Sequence, residues 1–245
     1  MRPILSSLPG LELAAPSYPT NKSVGYYLPD ADGSADGRLR NTAYLAALRG
    51  YNPPMRITGG RAARRILKVP KGLEVRPTPD LVKQAVFNSL GPRVIDAKVL
   101  ELFAGTGALS LECLSRGAAT AVCVEKSQRF AALLRENFQH AGFAPETLQI
   151  RVQDVFAAVA QLSQGTDRFN LVLADPPYGE KNVNRRSNSF AQQVLDNTQL
   201  PSLLAPGGLL VLGHSKRDTL TIPSRWTDKK LLKHGDSLMR FLAVT

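Results

Sequence analysis

Asp175-Pro176-Pro177-Tyr178 follows directly on the apolar run Phe169-Asn170-Leu171-Val172-Leu173-Ala174. Two consecutive prolines fix φ and remove two N–H donors, and Pro177 holds Pro176 out of the helical region. The turn they make is rigid and rich in free carbonyls, which does not suit a phosphate. The Asp175 carboxylate and the Pro176 carbonyl can both accept from one amine, and Tyr178 can stack on the base that carries it. These groups suit an exocyclic NH2 that has to be held, oriented and made nucleophilic.

A second stretch supplies a ligand cradle. Val99-Leu100-Glu101-Leu102-Phe103-Ala104-Gly105-Thr106-Gly107-Ala108-Leu109 reads as a short strand, a small-residue turn and the start of a helix. Gly105 and Gly107 let the backbone turn tightly beside a ligand. With no third glycine, the loop is not the GxGxxG of a pyrophosphate site, although the loop and Glu125 alone leave a nicotinamide cofactor open. Glu125 closes the next apolar run and can take both hydroxyls of a ribose. Asp154 closes the third run, where it can accept from an adenine amine or cap the following helix. Glu101 lies beside the glycine loop. Together these residues read as a nucleoside cradle.

The elements that must position these residues follow from periodicity. A helix is predicted from Thr78 as N-cap and Pro79 as N1, with Leu81, Val82, Ala85, Val86 and Leu90 as its apolar stripe and Gly91-Pro92 as its end. Strands are predicted at about 98–103, 120–125, 148–152, 169–174 and 209–212. Helices are predicted at about 108–117, from Ser127 to Gly142 with Phe130, Leu133, Leu134 and Phe138 on one side, after Asp154, and at about 190–203. Two closing strands, about 226–234 and 237–244, flank a Gly235-Asp236 hairpin signal. Repeated βα units imply a mostly parallel three-layer sheet, with ligands beyond the carboxyl ends of its strands.

The 245 residues suffice for one α/β domain with a modest appendage, and their net charge of +11 favours a polyanionic partner. Residues 1–54 are rich in Pro, Gly, Ser and Asp, have little net charge and read as a poorly structured extension, with a short helix at most over 39–50. Met55 is a candidate natural start. Residues 55–77 read as a basic β-hairpin-like arm. Arg56, Arg61, Arg64, Arg65, Lys68, Lys71 and Arg76 stand against Glu74 alone, a crowding that calls for phosphate contact. Residues 78–245 form the remaining domain. Cys113 and Cys123 offer no disulfide framework, no run approaches the ~20 apolar residues of a membrane span, and no ordinary secretory signal opens the chain. A cytoplasmic location is expected.

Phe-Ala-Gly-Thr-Gly and Asp-Pro-Pro-Tyr are similar to the motifs of S-adenosylmethionine-dependent amino-methyltransferases. With Met55-Arg56-Ile57-Thr58-Gly59-Gly60 and Arg76-Pro77-Thr78-Pro79-Asp80, the chain over about 55–245 resembles the RsmD family. These enzymes methylate the exocyclic N2 of one guanine in small-subunit (16S) ribosomal RNA. The resemblance implies an α/β, Rossmann-like class I methyltransferase: a mostly parallel seven-stranded sheet, a C-terminal antiparallel hairpin and a small basic N-terminal arm. It implies S-adenosylmethionine as methyl donor and no metal. Glu101, Phe103, Ala104, Gly105, Thr106, Gly107, Glu125, Lys126, Asp154, Val155 and Asp175 would surround the donor. Asp175, Pro176, Pro177 and Tyr178 would hold the target amine. Arg56, Arg61, Arg64, Arg65, Lys68 and Arg76 would contact RNA, joined by Lys181, Arg185 and Arg186 after the catalytic turn.

The expected partner is small-subunit ribosomal RNA in an assembling or assembled 30S particle, met by a monomer without a membrane. At the end of strand five the family often carries Glu where this chain has Gly213-His214-Ser215, so His214 is read either as a packed histidine or as a contact to the target nucleotide. Two other readings compete. A DNA adenine-N6 or cytosine-N4 methyltransferase shares the chemistry but needs a recognition domain for which the chain has no long insertion. A non-catalytic RNA-binding assembly factor has no reason to keep the amine cradle.

Overall fold

A computed structural model describes residues 54–70, 79–178 and 186–245. Residues 1–53 of the extension expected over 1–54, Lys71, Arg76, the Thr78 cap, Lys181 and Arg185 lie outside the described residues. The described elements are α1 (Asp80–Leu90), β1 (Lys98–Leu102), α2 (Ala108–Ser115), β2 (Thr120–Val124), α3 (Gln128–Ala141), β3 (Leu148–Arg151), α4 (Val155–Ser163), β4 (Phe169–Ala174), α5 (Phe190–Asp196), β5 (Leu204–Ser215), β6 (Trp226–His234) and β7 (Ser237–Val244). The seven strands form one sheet in the order β3-β2-β1-β4-β5-β7-β6, parallel except for β7, which pairs antiparallel with both β5 and β6.

Period-two alternation divides the core between the two faces of the sheet. Val99, Leu171, Leu173, Val211, Met239 and Phe241 face α1, α2 and the basic arm. Leu100, Leu102, Val172, Ala174, Leu210, Leu212 and Leu242 face α4 and α5. The central strands are therefore apolar on both sides, as expected of a parallel sheet covered by helices. Each fully buried Leu or Val among them contributes roughly 1.5–3 kcal/mol.

Local chemistry sets the helix ends. Ser127 accepts from the Phe130 N–H at the start of α3, and Gly142 ends that helix at φ 70°, where an L side chain would be strained. Ser189 caps α5 through the Gln192 N–H. Helix α1 starts one residue later than expected, with Pro79 as the flanking residue and Asp80 first inside.

Its buried face also differs from the expected stripe. Leu81 is 72% exposed, whereas Lys83 is fully buried. The Lys83 stem fills the apolar face, while its ammonium donates to the Arg56 carbonyl and pairs with Asp80. The predicted 190–203 helix is α5 followed by a separate 3-10 turn at Leu200–Leu203, since Asn197 and Pro201 interrupt it. Strand β5 begins at Leu204, earlier than expected, because Pro206-Gly207-Gly208 sits inside the strand instead of ending a turn before it.

Over its described residues, 55–70, the basic arm is a hairpin-like turn with an antiparallel bridge at Arg56↔Ile66. Three of its backbone donors go to α2. Arg61 N donates to the Ser115 carbonyl (2.8 Å), Ala62 N to Ser115 Oγ (2.9 Å) and Thr58 N to Glu112 (2.7 Å). Gly60 has no alternative at this contact, since a Cβ on it would lie 1.9 Å from the Ser115 carbonyl oxygen. Ile57 and Leu67 enter the core beneath.

Glu112 is fully buried and accepts from Thr58 N, Thr58 Oγ1 and Arg116 Nε. Glu112→Ala leaves these donors unmet and should cost about 3 kcal/mol, read as a lower urea midpoint at unchanged slope.

Candidate active site at the carboxyl edge of the sheet

The sheet register brings the two motif loops together. Leu102 and Ala174 are paired neighbours in β1 and β4, so Phe103 and Asp175 leave adjacent strands side by side. Ala174 is also paired with Leu212 of β5, which sets Gly213 against Asp175 on its other side. A Cβ on Gly213 would lie 2.2 Å from Asp175 Oδ1, so any larger residue there would displace that carboxylate. His214, the next residue, points to the opposite face. It is 2% exposed, its Nδ1 lies 3.1 Å from the Ser215 carbonyl, and burial lowers its pKa, favouring the neutral ring. This geometry is that of a packed histidine.

The glycine loop is pinned from three directions. Gly105 N donates to Glu125 Oε2, and Ser127 N donates to Glu125 Oε1, both at 2.8 Å. Ala104 N donates to the Val124 carbonyl at 3.0 Å. Gly107 takes φ 79°, and a Cβ there would strike Leu134 Cγ at 2.8 Å, so the loop rests directly on α3. Gly105, at φ 54°, faces open space on its other side. Phe103 holds φ 58°, a conformation unusual for a residue with a side chain and concentrated at functional sites. Thr106 is buried, and its carbonyl and hydroxyl both have partners outside the loop.

Glu101 lies beneath this loop. Its carboxylate is 3% exposed and accepts from Ser110 N (2.9 Å) and from Ser110 Oγ. Burial pushes its pKa up to about 7, against the lowering effect of the Ser110 hydrogen bonds. Its contacts are thus with the first turn of α2 and with Cys123, whose thiol burial also pushes up. Asp154 caps α4 through Phe156 N (2.9 Å) and Ala157 N (3.3 Å), while Oδ2 faces Lys126 Nζ at 3.8 Å. Val155 is buried in the core behind it. Asp175 is half-buried and Pro176 buried, while Pro177 and Tyr178 are exposed. The Tyr178 hydroxyl lies 2.8 Å from Ser237 Oγ, which fixes the ring at the edge of the site.

Sequence reasoning passed over three residues at this edge. Phe190 is 43% exposed and sits 5.5 Å from Phe103 and 6.5 Å from Phe156, centroid to centroid, an aromatic cluster beside the loop. The signal for it was only an aromatic after a Ser cap. Gln153 Nε2 is buried with no hydrogen-bond partner among the described residues. Asn137 is buried under the loop.

Several of the described basic residues find partners within the chain, among them Arg56, Lys68, Arg65 and Arg61 of the arm and Arg186 beyond the Asp175 turn. Arg56 pairs with Asp80 (2.8 Å), Lys68 with Glu136 (2.9 Å) and Arg186 with Asp196 (2.6 Å). Arg65 donates to the His140 carbonyl, and Arg61 stacks over Phe143. Arg64 is exposed, sits at φ 72° and donates its backbone N–H to the Ile57 carbonyl (2.8 Å), while its guanidinium has no hydrogen bond or ion pair among the described residues.

A profile of the family described as "Conserved hypothetical protein 95" matches residues 55–243. The chain belongs to this family, the RsmD family. It is 32% identical over 174 residues to the Ribosomal RNA small subunit methyltransferase D of Escherichia coli, covering 71% of this chain and 81% of that protein. A solved structure of a hypothetical protein from Thermus thermophilus superposes with a TM-score of 0.63 at 29% identity, covering 77% of this chain and 99% of that one. An RNA methyltransferase from Salinibacter ruber, solved with S-adenosyl-L-homocysteine, shares the fold at 19% identity and a TM-score of 0.50, covering 68% of this chain and 92% of that one.

The fold is therefore that of class I S-adenosylmethionine-dependent methyltransferases, and the donor fits the site of this chain. Open space above Gly105 leaves room for the donor's amino-acid part, and the carboxylates of Glu125 and Asp154, just past β2 and β3, suit its ribose hydroxyls and adenine amine. Among the described residues no helix is long and apolar enough to cross a membrane, and no cluster of three or more His, Cys, Asp or Glu could hold a metal ion.

The raised pKa of Glu101 has a stability consequence. A carboxyl whose folded pKa lies above its unfolded value stabilises fully below the unfolded value near 4.5 and loses that contribution as pH rises through about 7. Glu101 should therefore withdraw about 3 kcal/mol of stability from the wild type between pH 4.5 and 8, and Glu101→Gln should lack this contribution. Thermal unfolding at a series of pH values reads the difference as a gap in Tm that widens with pH.

Proposed function

We propose that the chain transfers a methyl group from S-adenosylmethionine to the exocyclic N2 amine of a guanine in small-subunit ribosomal RNA. The observation that carries this reading is the Leu102–Ala174 pairing, which sets a donor loop and an amine-accepting turn side by side. Family membership and the name of the Escherichia coli relative support ribosomal RNA as the substrate.

When bound, S-adenosylmethionine supplies an electrophilic methyl carbon on a sulfonium. Glu125, with both oxygens already fixed by Gly105 and Ser127, keeps lone pairs for the ribose hydroxyls. Asp154 Oδ2, not used in capping α4, is placed for the adenine amine. Lys126, Val155 and the loop from Phe103 to Gly107 complete the donor side.

On the acceptor side, the guanine N2 lone pair is delocalised into the ring. Asp175 and the Pro176 carbonyl, accepting from its hydrogens, favour the positive charge that develops as the nitrogen attacks. Tyr178, held by Ser237, sets the plane of the base. Holding nitrogen and donor in line is the main contribution of the protein. Asp175 need not be a strong base, because the methylated amine loses its proton after transfer.

The base reaches this edge by leaving its stack. Arg56, Arg61, Arg64, Arg65 and Lys68, with Arg76, Lys181, Arg185 and Arg186, grip the flanking phosphates. A phosphate that displaces the exposed Arg56–Asp80 or Lys68–Glu136 pair gives up little, since such surface pairs are worth about 0–1 kcal/mol. A cytoplasmic location follows from the same reading, as does action on the 30S particle by a monomer.

The test is transfer of labelled methyl to small subunits and to total DNA from cells lacking the activity, with the modified nucleoside identified by mass. N2-methylguanosine in small-subunit RNA is expected. Label in DNA, or on adenine or cytosine, would overturn the reading. Asp175→Asn should lower kcat by about 10²–10³-fold, with S-adenosylhomocysteine binding changed far less.

A further inference from the structure

Asn137 occupies an unusual place on α3. Its side chain is 1% exposed, and every hydrogen-bonding position it can use in this setting is turned away from its own helix. Oδ1 accepts from the Lys68 N–H at 2.7 Å, and Nδ2 donates back to the Lys68 carbonyl at 3.0 Å. The amide thus pairs with the arm backbone as a neighbouring strand would. The remaining Nδ2 hydrogen goes to the Thr106 carbonyl at 3.1 Å, inside the glycine loop. One side chain joins the two segments.

One further contact ties the same segments, and another rests the loop on α3. Thr106 Oγ1 lies 3.7 Å from Met55 Sδ at the start of the arm. One turn before Asn137, Leu134 fills the space that a Cβ on Gly107 would need. The loop therefore cannot shift at Thr106 or Gly107 without disturbing α3, and the arm backbone cannot shift at Lys68 without leaving a buried amide unmet. Outside this clamp the arm carries Arg61, Arg64 and Arg65 on its exposed side.

We propose that Asn137 is a positioning residue that couples the basic arm to the donor loop. RNA phosphates on the arm and S-adenosylmethionine at the loop then strengthen each other's binding. The inference rests on the proposed function, which assigns the donor to the loop and RNA to the arm. Coupling of this kind is reciprocal, so it can be read from either side. Donor binding orders the loop at Gly105–Gly107, the Thr106 carbonyl holds Nδ2 in place, and the arm backbone at Lys68 is held with it. The arm then presents its guanidinium groups in a fixed arrangement.

The test needs no RNA in its first arm. Hydrogen exchange of the full chain is followed with and without saturating S-adenosylhomocysteine. The amide of Lys68, which donates to Asn137, and that of Leu67, which donates to the Met55 carbonyl, should exchange about fivefold more slowly with the ligand. Asn137→Leu should lose this effect. If that variant does not fold, the wild-type measurement still decides. Ligand binding with unchanged exchange at Lys68 and Leu67 would overturn the coupling and leave the proposed function standing. Failure of the ligand to bind would overturn the donor assignment, and the coupling with it.

A second arm uses methyl transfer to small subunits lacking the modification. The wild-type KM for S-adenosylmethionine should fall as subunit concentration rises. In a folded Asn137→Leu protein it should stay constant. A KM equally dependent on subunits in both proteins would overturn the role of Asn137, since a merely structural residue would change stability without changing that dependence.

Discussion

The pairing of Leu102 with Ala174 places β4 directly beside β1, and the chemistry of the carboxyl edge depends on this neighbourhood. Had β1 been followed in space by another strand, Phe103-Ala104-Gly105 and Asp175-Pro176 would sit on separate stretches of the edge. The amine and the methyl donor of the proposed reaction could not then meet. The neighbourhood is secured by burial on both faces, with Leu100 and Val172 against α4 and α5, and Val99 and Leu171 against α1 and α2. A slip of one residue would exchange the two faces of the strand, a cost large enough to hold the register. A sheet this deeply buried can carry a loop with Phe103 at positive φ, because the strain is small beside the packing that enforces it.

Polar groups in this protein are grouped by the work they do at the joints. Glu112 and Ser115 hold the arm on α2, Glu125 holds the glycine loop on the start of α3, and Asn137 holds the loop and the arm together. Glu101 differs from these. It is buried under the loop with a pKa raised to about 7, so it is partly neutral near physiological pH and serves the first turn of α2 as a hydrogen-bonded group more than as a charge. At the carboxyl edge, Asp154 is exposed and Asp175 half-buried.

Much of this was legible in the residues. The run from Phe169 to Ala174 is uniformly apolar except Asn170 and is closed by two prolines, so its bounds match the observed β4. The Gly235-Asp236 turn likewise defined β6 and β7, because a hairpin turn and two alternating runs leave little choice of register. The strand order was not legible from periodicity and came with the family resemblance, since adjacency in a parallel sheet depends on long-range packing. Lys83 and Leu81 exchanged roles because hydrophobicity alone ranks leucine inside, while the local supply of carbonyl and carboxylate acceptors makes a buried ammonium tolerable. The arm looked like a hairpin and like a cluster of unbalanced charge. Both impressions failed to foresee partners far away in sequence, namely Ser115 for its backbone and Asp80, Glu136 and His140 for its cations. Asn137 had no local signal, since a polar residue on a helix reads as a solvated one.

In the proposed reaction the glycine loop and the Asp175 turn form one pocket for donor and amine. A crystal structure with bound S-adenosylhomocysteine is the decisive test. Ribose hydroxyls are expected on Glu125, the amino-acid portion over Gly105, and the sulfur facing Asp175 and Pro176. A ligand whose sulfur faces away from that turn, or whose ribose lies elsewhere than at Glu125, would contradict this arrangement.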